Sequence, residues 1–129
     1  MATVPMSFIL ILFLSLIGKE SSCKISGFCA CSLDNININT IRSGRVIQGK
    51  LEWNVTVINN CNCPQKLIKL TCKGFQTVEN VSPSILSKVG DKCLLIGGKE
   101  LVKSTSVKFS YAWDSAYIFW PSESIIVRC

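Results

Sequence analysis

The sequence contains no histidine, and this absence removes several kinds of active site. Catalytic arrangements built on a Ser-His or Cys-His pair need an imidazole base, so they are excluded. Histidine is also the usual companion of cysteine in zinc sites, which leaves only a thiolate-based metal site open. Acidic residues are few, eight in 129, and nothing singles out two of them as a glycosidase pair. We therefore expect no enzymatic activity, no catalytic residue and no cofactor.

Long apolar runs are also scarce. The one clear run, residues 8–17, is shorter than the roughly 20 residues that a membrane span requires. Its position and length are typical of the apolar core of a secretory signal peptide, although no lysine or arginine precedes it. We predict a signal peptide over residues 1–22, cleaved between 18 and 22, and one secreted domain over residues 23–129. The alternative is that this segment stays uncleaved as an N-terminal anchor. At the other end of the chain, the C-terminus carries no lipid-anchor tail. We therefore expect an extracellular protein without a stable membrane anchor.

The basic residues form no run of four, although the formal net charge is +6. A basic secreted protein is attracted to acidic partners over long range. Acidic cell-wall polysaccharide, anionic lipid or an acidic receptor face would all fit, whereas secretion argues against nucleic acid. The alternative is that the scattered charges only keep the surface soluble.

Cysteine, by contrast, is plentiful, with eight residues in a short chain. An even number in a small secreted domain predicts four disulfides. Two C-x-C pairs occur, and such a pair rarely bridges to itself because the ring would be strained. Catalytic dithiols usually space their cysteines by two residues, which disfavours a redox site. The predicted disulfide cysteines are Cys23, Cys29, Cys31, Cys61, Cys63, Cys72, Cys93 and Cys129.

Period-two alternation of apolar and polar residues predicts short strands throughout the domain. In "LEWNVTVI" the apolar residues Leu51, Trp53, Val55 and Val57 face inward, and Glu52, Asn54 and Thr56 face outward. In "LIKLTCKGF" Cys72 faces inward with Ile68 and Leu70. "NININTI", "SVKFSYAW" and the terminal "ESIIVRC" are further strands. Six or seven such strands predict a small antiparallel β-sandwich, all-β and stapled by disulfides.

Glycine and proline mark the expected turns. Gly44 and Gly49 are predicted to lie in turns after the first strand. One helical turn is expected after Pro83, followed by a short strand around Leu94. No segment has the periodicity of an amphipathic helix.

Two surface features are candidate sites. Asn54-Val55-Thr56 is an N-glycosylation acceptor on an outward strand position, while the second acceptor, at Asn80, is disfavoured by the proline that follows it. The segment "YIFWP" falls in a predicted loop, where Tyr117, Phe119 and Trp120 are candidate partner contacts. A loop folded back to cap the sandwich is the alternative for these aromatics. The strand residues Trp53, Tyr111 and Trp113 are predicted to lie in the core.

Several segments together resemble the plant tapetum determinant family of small secreted, cysteine-rich proteins. They are "CSLDNINI", "WNVTVINNC", "TCKGFQTVENVSPSILSKVGDKCLL", "VKFSYAWD" and "IIVRC". The resemblance runs from Cys31 to Cys129. It implies a secreted signalling ligand for the ectodomain of a plant leucine-rich-repeat receptor kinase, which influences cell fate and differentiation, since the founding member acts in this way in the tapetum.

Two departures from the family pattern indicate a paralogue. The resemblance includes a pattern of six cysteines, Cys31, Cys61, Cys63, Cys72, Cys93 and Cys129. Cys23 and Cys29 lie outside this pattern, and "LLIGGKEL" lacks the asparagine-rich, proline-containing turn of the founding member. The interpretations that remain open beside the ligand are a cell-wall glycan-binding module and an apoplastic inhibitor or defence protein.

Overall fold

The structure is a computed structural model, and it describes residues 30–128. This part of the chain is all-β, with seven strands and two short 3-10 helices. The strands are β1 Ile36–Ile47, β2 Lys50–Asn59, β3 Gln65–Thr71, β4 Leu86–Val89, β5 Lys92–Leu95, β6 Ser106–Trp113 and β7 Pro121–Ile126. The 3-10 helices are Leu33–Asn35, which precedes β1, and Ile96–Gly98, which follows β5.

The strands form two antiparallel sheets that enclose one core. The first, sheet A, has three strands in the order β1-β2-β6, and the second, sheet B, has four in the order β4-β5-β3-β7. Val55 and Tyr111 of sheet A and Ile68 and Leu70 of sheet B are fully buried in one apolar cluster. The predicted antiparallel β-sandwich is therefore confirmed.

The β1–β2 hairpin has its turn at only one of the two predicted glycines. Gln48 and Gly49 have φ angles of 49° and 80°, the positive values that a tight two-residue hairpin turn requires. Gly44, at a φ of 92°, lies instead inside β1, where the register with β2 shifts between Arg42 and Val46. Its predicted turn is wrong, because the chain continues past Gly44 in a β-bulge.

The segment after Pro83 holds more strand than the sequence predicted. The expected turn is present, since the amides of Ile85 and Leu86 both donate to the carbonyl of Ser82. The single expected strand around Leu94 is a hairpin, in which β4 and β5 pair across a two-residue turn at Gly90 and Asp91.

The predicted inward and outward positions can be compared with the burial of each side chain. Cys72, Ile68 and Leu70 are fully buried, as predicted. Tyr111 is fully buried too, whereas Trp53 and Trp113 are half-buried at the margin of the core. Glu52 lies on the outer face of sheet A, as predicted, but it is buried there, with only 4% of it accessible to solvent.

The predicted signal peptide, residues 1–22, lies outside the residues that the structure describes. Within residues 30–128, no helix is long and apolar enough to cross a membrane.

Candidate functional site

Disulfides hold both ends of the sandwich. Cys31 bonds to Cys61 with a Cα–Cα distance of 5.7 Å, which ties the segment before β1 to the loop after β2. Cys72 bonds to Cys93 at 5.8 Å, which joins the end of β3 to β5. Cys63 is disulfide-bonded as well. The prediction of disulfides is confirmed for these five cysteines, whereas Cys23, Cys29 and Cys129 lie outside the described residues.

Two buried amide side chains order the loop that carries Cys61 and Cys63. The side-chain amide of Asn59 donates to the carbonyls of Cys63 and Leu101, at 2.9 and 2.8 Å, and its Oδ1 accepts from the amide of Cys61 at 3.0 Å. Gln65 donates to Asn59 Oδ1 and accepts from Ser124 Oγ. Neither residue was predicted from the sequence. The only signal was their place beside cysteines, since a buried amide needs partners that alternation does not reveal.

The β6–β7 loop is pinned to the core by tyrosine hydroxyls. The amide of Tyr117 donates to the Tyr111 hydroxyl at 2.7 Å, and the Tyr117 hydroxyl donates to the carbonyl of Lys73 at 2.8 Å. Burial raises the pKa of both Tyr111 and Tyr117 above the ordinary value for a phenol. Both hydroxyls therefore keep their protons at physiological pH, and their hydrogen bonds join the loop to Tyr111 and Lys73.

Phe119 belongs to the core and not to an exposed contact surface. It is 3% exposed, and its ring lies 4.8 to 6.0 Å, centre to centre, from those of Phe75, Phe109, Tyr111 and Tyr117. The prediction that Phe119 is an exposed partner contact is wrong, because the loop folds inward and Phe119 fills the sandwich. Tyr117 is half-buried in the same cluster.

Trp120 and its neighbour Ile118 point to solvent, each with 64% of its surface exposed. The backbone under Trp120 is fixed, because its amide donates to Thr71 Oγ1 and its carbonyl accepts from the amide of Thr71. Residues 117–120 thus alternate between core and solvent as a strand does. Since side chains alternate in an extended segment, Ile118 must face outward when Phe119 faces inward. Ile118 was not among the contacts predicted from the sequence.

A groove runs beside these two exposed side chains. It has a volume of about 420 Å³, and it is lined by the 3-10 helix before β1, by the start of β1 and by the segment that leads into β7. Its walls are largely apolar, from Leu33, Ile36, Ile38 and Pro121, and Asp34 adds an exposed carboxylate. An exposed tryptophan and isoleucine next to an apolar groove can dock another molecule by burial of apolar surface.

The predicted glycosylation site lies elsewhere on the surface. Asn54 occupies the central strand of sheet A, half-buried on its outer face, and its Oδ1 accepts from Ser110 Oγ at 2.6 Å. The amide nitrogen that would carry a glycan makes no bond in that pair. Asn80 is exposed in the segment before β4. Glycosylation of Asn54 stays a prediction.

Metal-ligating side chains do not converge among residues 30–128. No three Cys, Asp or Glu side chains in this range are placed to hold an ion. Two glutamates from distant segments, Glu52 and Glu79, do meet on the outer face of sheet A.

Comparison with known proteins gives one family match. Residues 24–129 match the family model described as tapetum determinant 1, C-terminal. No curated protein and no solved structure matches the chain. Since the family model covers more than half of the sequence, the chain belongs to the tapetum determinant 1 family.

Proposed function

We propose that the chain is a secreted extracellular signal of the plant apoplast, which binds the ectodomain of a leucine-rich-repeat receptor kinase and influences cell fate. Family membership supports a role in developmental signalling. The observation that carries a binding role is the pair Ile118 and Trp120, held exposed on a fixed backbone beside an apolar groove.

Rigid, exposed aromatic side chains are effective anchors for protein partners. A few such residues supply most of the binding free energy at protein interfaces, and tryptophan is enriched among them. Trp120 would lose little conformational entropy on binding, because its backbone is already bonded to Thr71. The groove beside it would receive an apolar side chain of the receptor.

The charge of the chain supports the same kind of partner. At a formal net charge of +6, it would be drawn to an acidic receptor face before the apolar contacts form. The same charge would also attract acidic cell-wall polysaccharide, which makes the glycan-binding module the competing function.

Trp120→Ala tests the proposal directly. We expect it to weaken binding of the mature protein to its receptor ectodomain by about 30-fold or more, which is the loss of about 2 kcal/mol typical of a truncated anchor. Ile118→Ala should weaken binding less. Ile125→Ala is the matched control, since Ile125 is exposed on β7 but lies outside the groove. Binding would be measured by biolayer interferometry on a panel of leucine-rich-repeat ectodomains.

Retention on a polysaccharide column separates the two functions. If Trp120→Ala binds the ectodomain as the unaltered protein does but elutes early from acidic cell-wall polysaccharide, the groove binds glycan and the receptor proposal fails for this surface. Thermal unfolding of each variant would show that the fold is intact.

A further inference from the structure

The outer face of sheet A carries a buried cluster that the proposed function does not use. Glu52 of β2 lies directly opposite Ala112 of β6. Both residues are buried, with Ala112 at 0% and Glu52 at 4% exposure, although this face points away from the core. Another part of the chain must therefore cover them.

Residues 77–79 supply that cover, and we call them the strap. The amide of Val78 donates to the carbonyl of Ala112 at 3.0 Å, and the amide of Ala112 donates to Thr77 Oγ1 at 2.9 Å. These bonds attach the strap along the free edge of β6. The small side chain of Ala112 leaves room for Glu79, from the strap, to reach Glu52 on the neighbouring strand.

The two carboxyl groups lie close enough for each to shift the pKa of the other. Ser43 Oγ donates to Glu52 Oε1 at 2.7 Å, and Arg45 Nε lies 3.6 Å from the same oxygen. No N–H or O–H group within residues 30–128 donates to the buried Oε1 of Glu79. The Ser43 hydroxyl and the Arg45 side chain thus contact Glu52, whereas within residues 30–128 the buried Oε1 of Glu79 has no donor.

This asymmetry decides where the proton resides. Two carboxylates in contact cannot both be ionised at low cost, so one carries a proton. The hydrogen bond from Ser43, with the charge of Arg45, lowers the pKa of Glu52. Burial and the neighbouring Glu52 raise the pKa of Glu79. A protonated Glu79 would donate to the Glu52 carboxylate, and within residues 30–128 Arg45 is the other charged group that acts on the pair.

We propose that this carboxyl pair is a pH-sensitive latch, in which a proton shared between Glu52 and Glu79 holds the strap on β6 and its loss at higher pH releases the strap. Ionised Glu79 would face the Glu52 carboxylate with a buried oxygen that no donor in the described part of the chain reaches, and opening the strap would return that oxygen to water. The latch closes in mildly acidic solution and loosens toward neutral and alkaline pH.

Phe75 links the strap to the aromatic cluster that lies under the β6–β7 loop. The strap begins two residues after Phe75, whose ring lies 5.0 Å from those of Tyr111 and Phe119. An open strap would relax the packing of this aromatic cluster, which includes Phe119, the residue before Trp120. The pH of the surroundings would then influence how firmly the exposed pair is displayed.

Amide hydrogen exchange of the mature secreted protein tests the latch without any partner. We expect the protection factor of Val78 to fall by up to about tenfold per pH unit above the ordinary glutamate pKa of 4.5, until the folded-state pKa of Glu79 is passed. The amide of Thr71, which donates to Trp120 across sheet B, is the internal reference and should show no such fall.

Substitutions then assign the effect to the pair. In Glu79→Gln the amide donates to Glu52 at every pH, so the protection of Val78 should lose its pH dependence. Glu52→Gln should also reduce the dependence, because the neighbouring charge is gone. Glu100→Gln, at an exposed position outside the cluster, is the matched control and should behave as the unaltered protein. The latch is overturned if Val78 protection is independent of pH in the unaltered protein, or if Glu79→Gln retains the full dependence.

Discussion

At the scale of single residues, neighbours in one segment have opposite roles. Phe119 fills the centre of the aromatic cluster, whereas Trp120, the next residue, projects into solvent from a backbone bonded to Thr71. The first supports the fold and the second is free to contact a partner. A double substitution of both would confuse stability with binding, so each must be tested alone.

Phe119→Ala should destabilise the fold strongly. It removes a buried ring that contacts four other aromatic rings, and such truncations cost about 3–5 kcal/mol. Trp120→Ala should change stability by about 0.5 kcal/mol or less, because its side chain is mostly solvated. Urea unfolding of both variants measures the difference. Equal losses for the two would mean that Trp120 is also part of the packing.

At the scale of elements, sheet B needs support from outside its own strands. β4 and β5 have four residues each, and β5 pairs with β3 over three residues only. Next to them, β3 is irregular at Leu67, which has a positive φ of 49°. The Leu67 side chain packs so closely on Gly98 that any side chain at position 98 would clash, since a Cβ there would lie 2.7 Å from Leu67 Cδ2. The Cys72–Cys93 disulfide joins β3 to β5 where this pairing is short. It fixes the β4–β5 hairpin to the rest of the sheet.

The double variant Cys72→Ala with Cys93→Ala should lose about 2–5 kcal/mol of folding free energy, as is typical when a native disulfide is removed from a small domain. Both cysteines are buried, so alanine also leaves a small cavity. The amides of β4 and β5 should lose exchange protection before those of sheet A. Denaturant unfolding at matched pH measures the free energy, and unchanged stability would show that packing alone holds the hairpin.

How far the elements follow from the sequence depends on the range of the interactions. Alternation within "LEWNVTVI" and "SVKFSYAW" predicts β2 and β6, and alternation within "LIKLTCKGF" predicts the burial of Cys72, because a strand with one buried face has period two. Local pattern could not separate a bulge from a turn at Gly44, since glycine suits both. The inward fold of Phe119 and the meeting of Glu52 with Glu79 depend on contacts between distant segments, which no local pattern records. The β4–β5 hairpin had a local signal in its Gly-Asp turn, which was missed.

At the scale of the whole molecule, a basic protein with few acids uses several of them in specific pairs. Glu123 on sheet B contacts Lys92 and Lys69, and the hydrogen bond from Lys92 and the two lysine charges lower its pKa. The pKa of Glu52 is lowered as well, while that of Glu79 is raised. Because these pKa shifts have opposite signs, the free energy of unfolding should pass through a maximum as the pH changes, and not reach a plateau.

The free energy of unfolding should peak in mildly acidic solution. Glu52 and Glu123 have lowered folded-state pKa values, so their contribution is complete above about 4.5 and is lost as the pH falls through those values. Glu79 has a raised value, so its contribution is complete below 4.5 and is lost as the pH rises through the folded-state pKa. The raised pKa values of Tyr111 and Tyr117 add a second loss above about pH 10.

Urea midpoints across the pH range measure the curve, and Glu79→Gln should remove only the decline toward neutral pH. If that variant also flattens the acidic side, the carboxyl pair titrates as one group and the separate assignments to Glu52 and Glu79 are wrong.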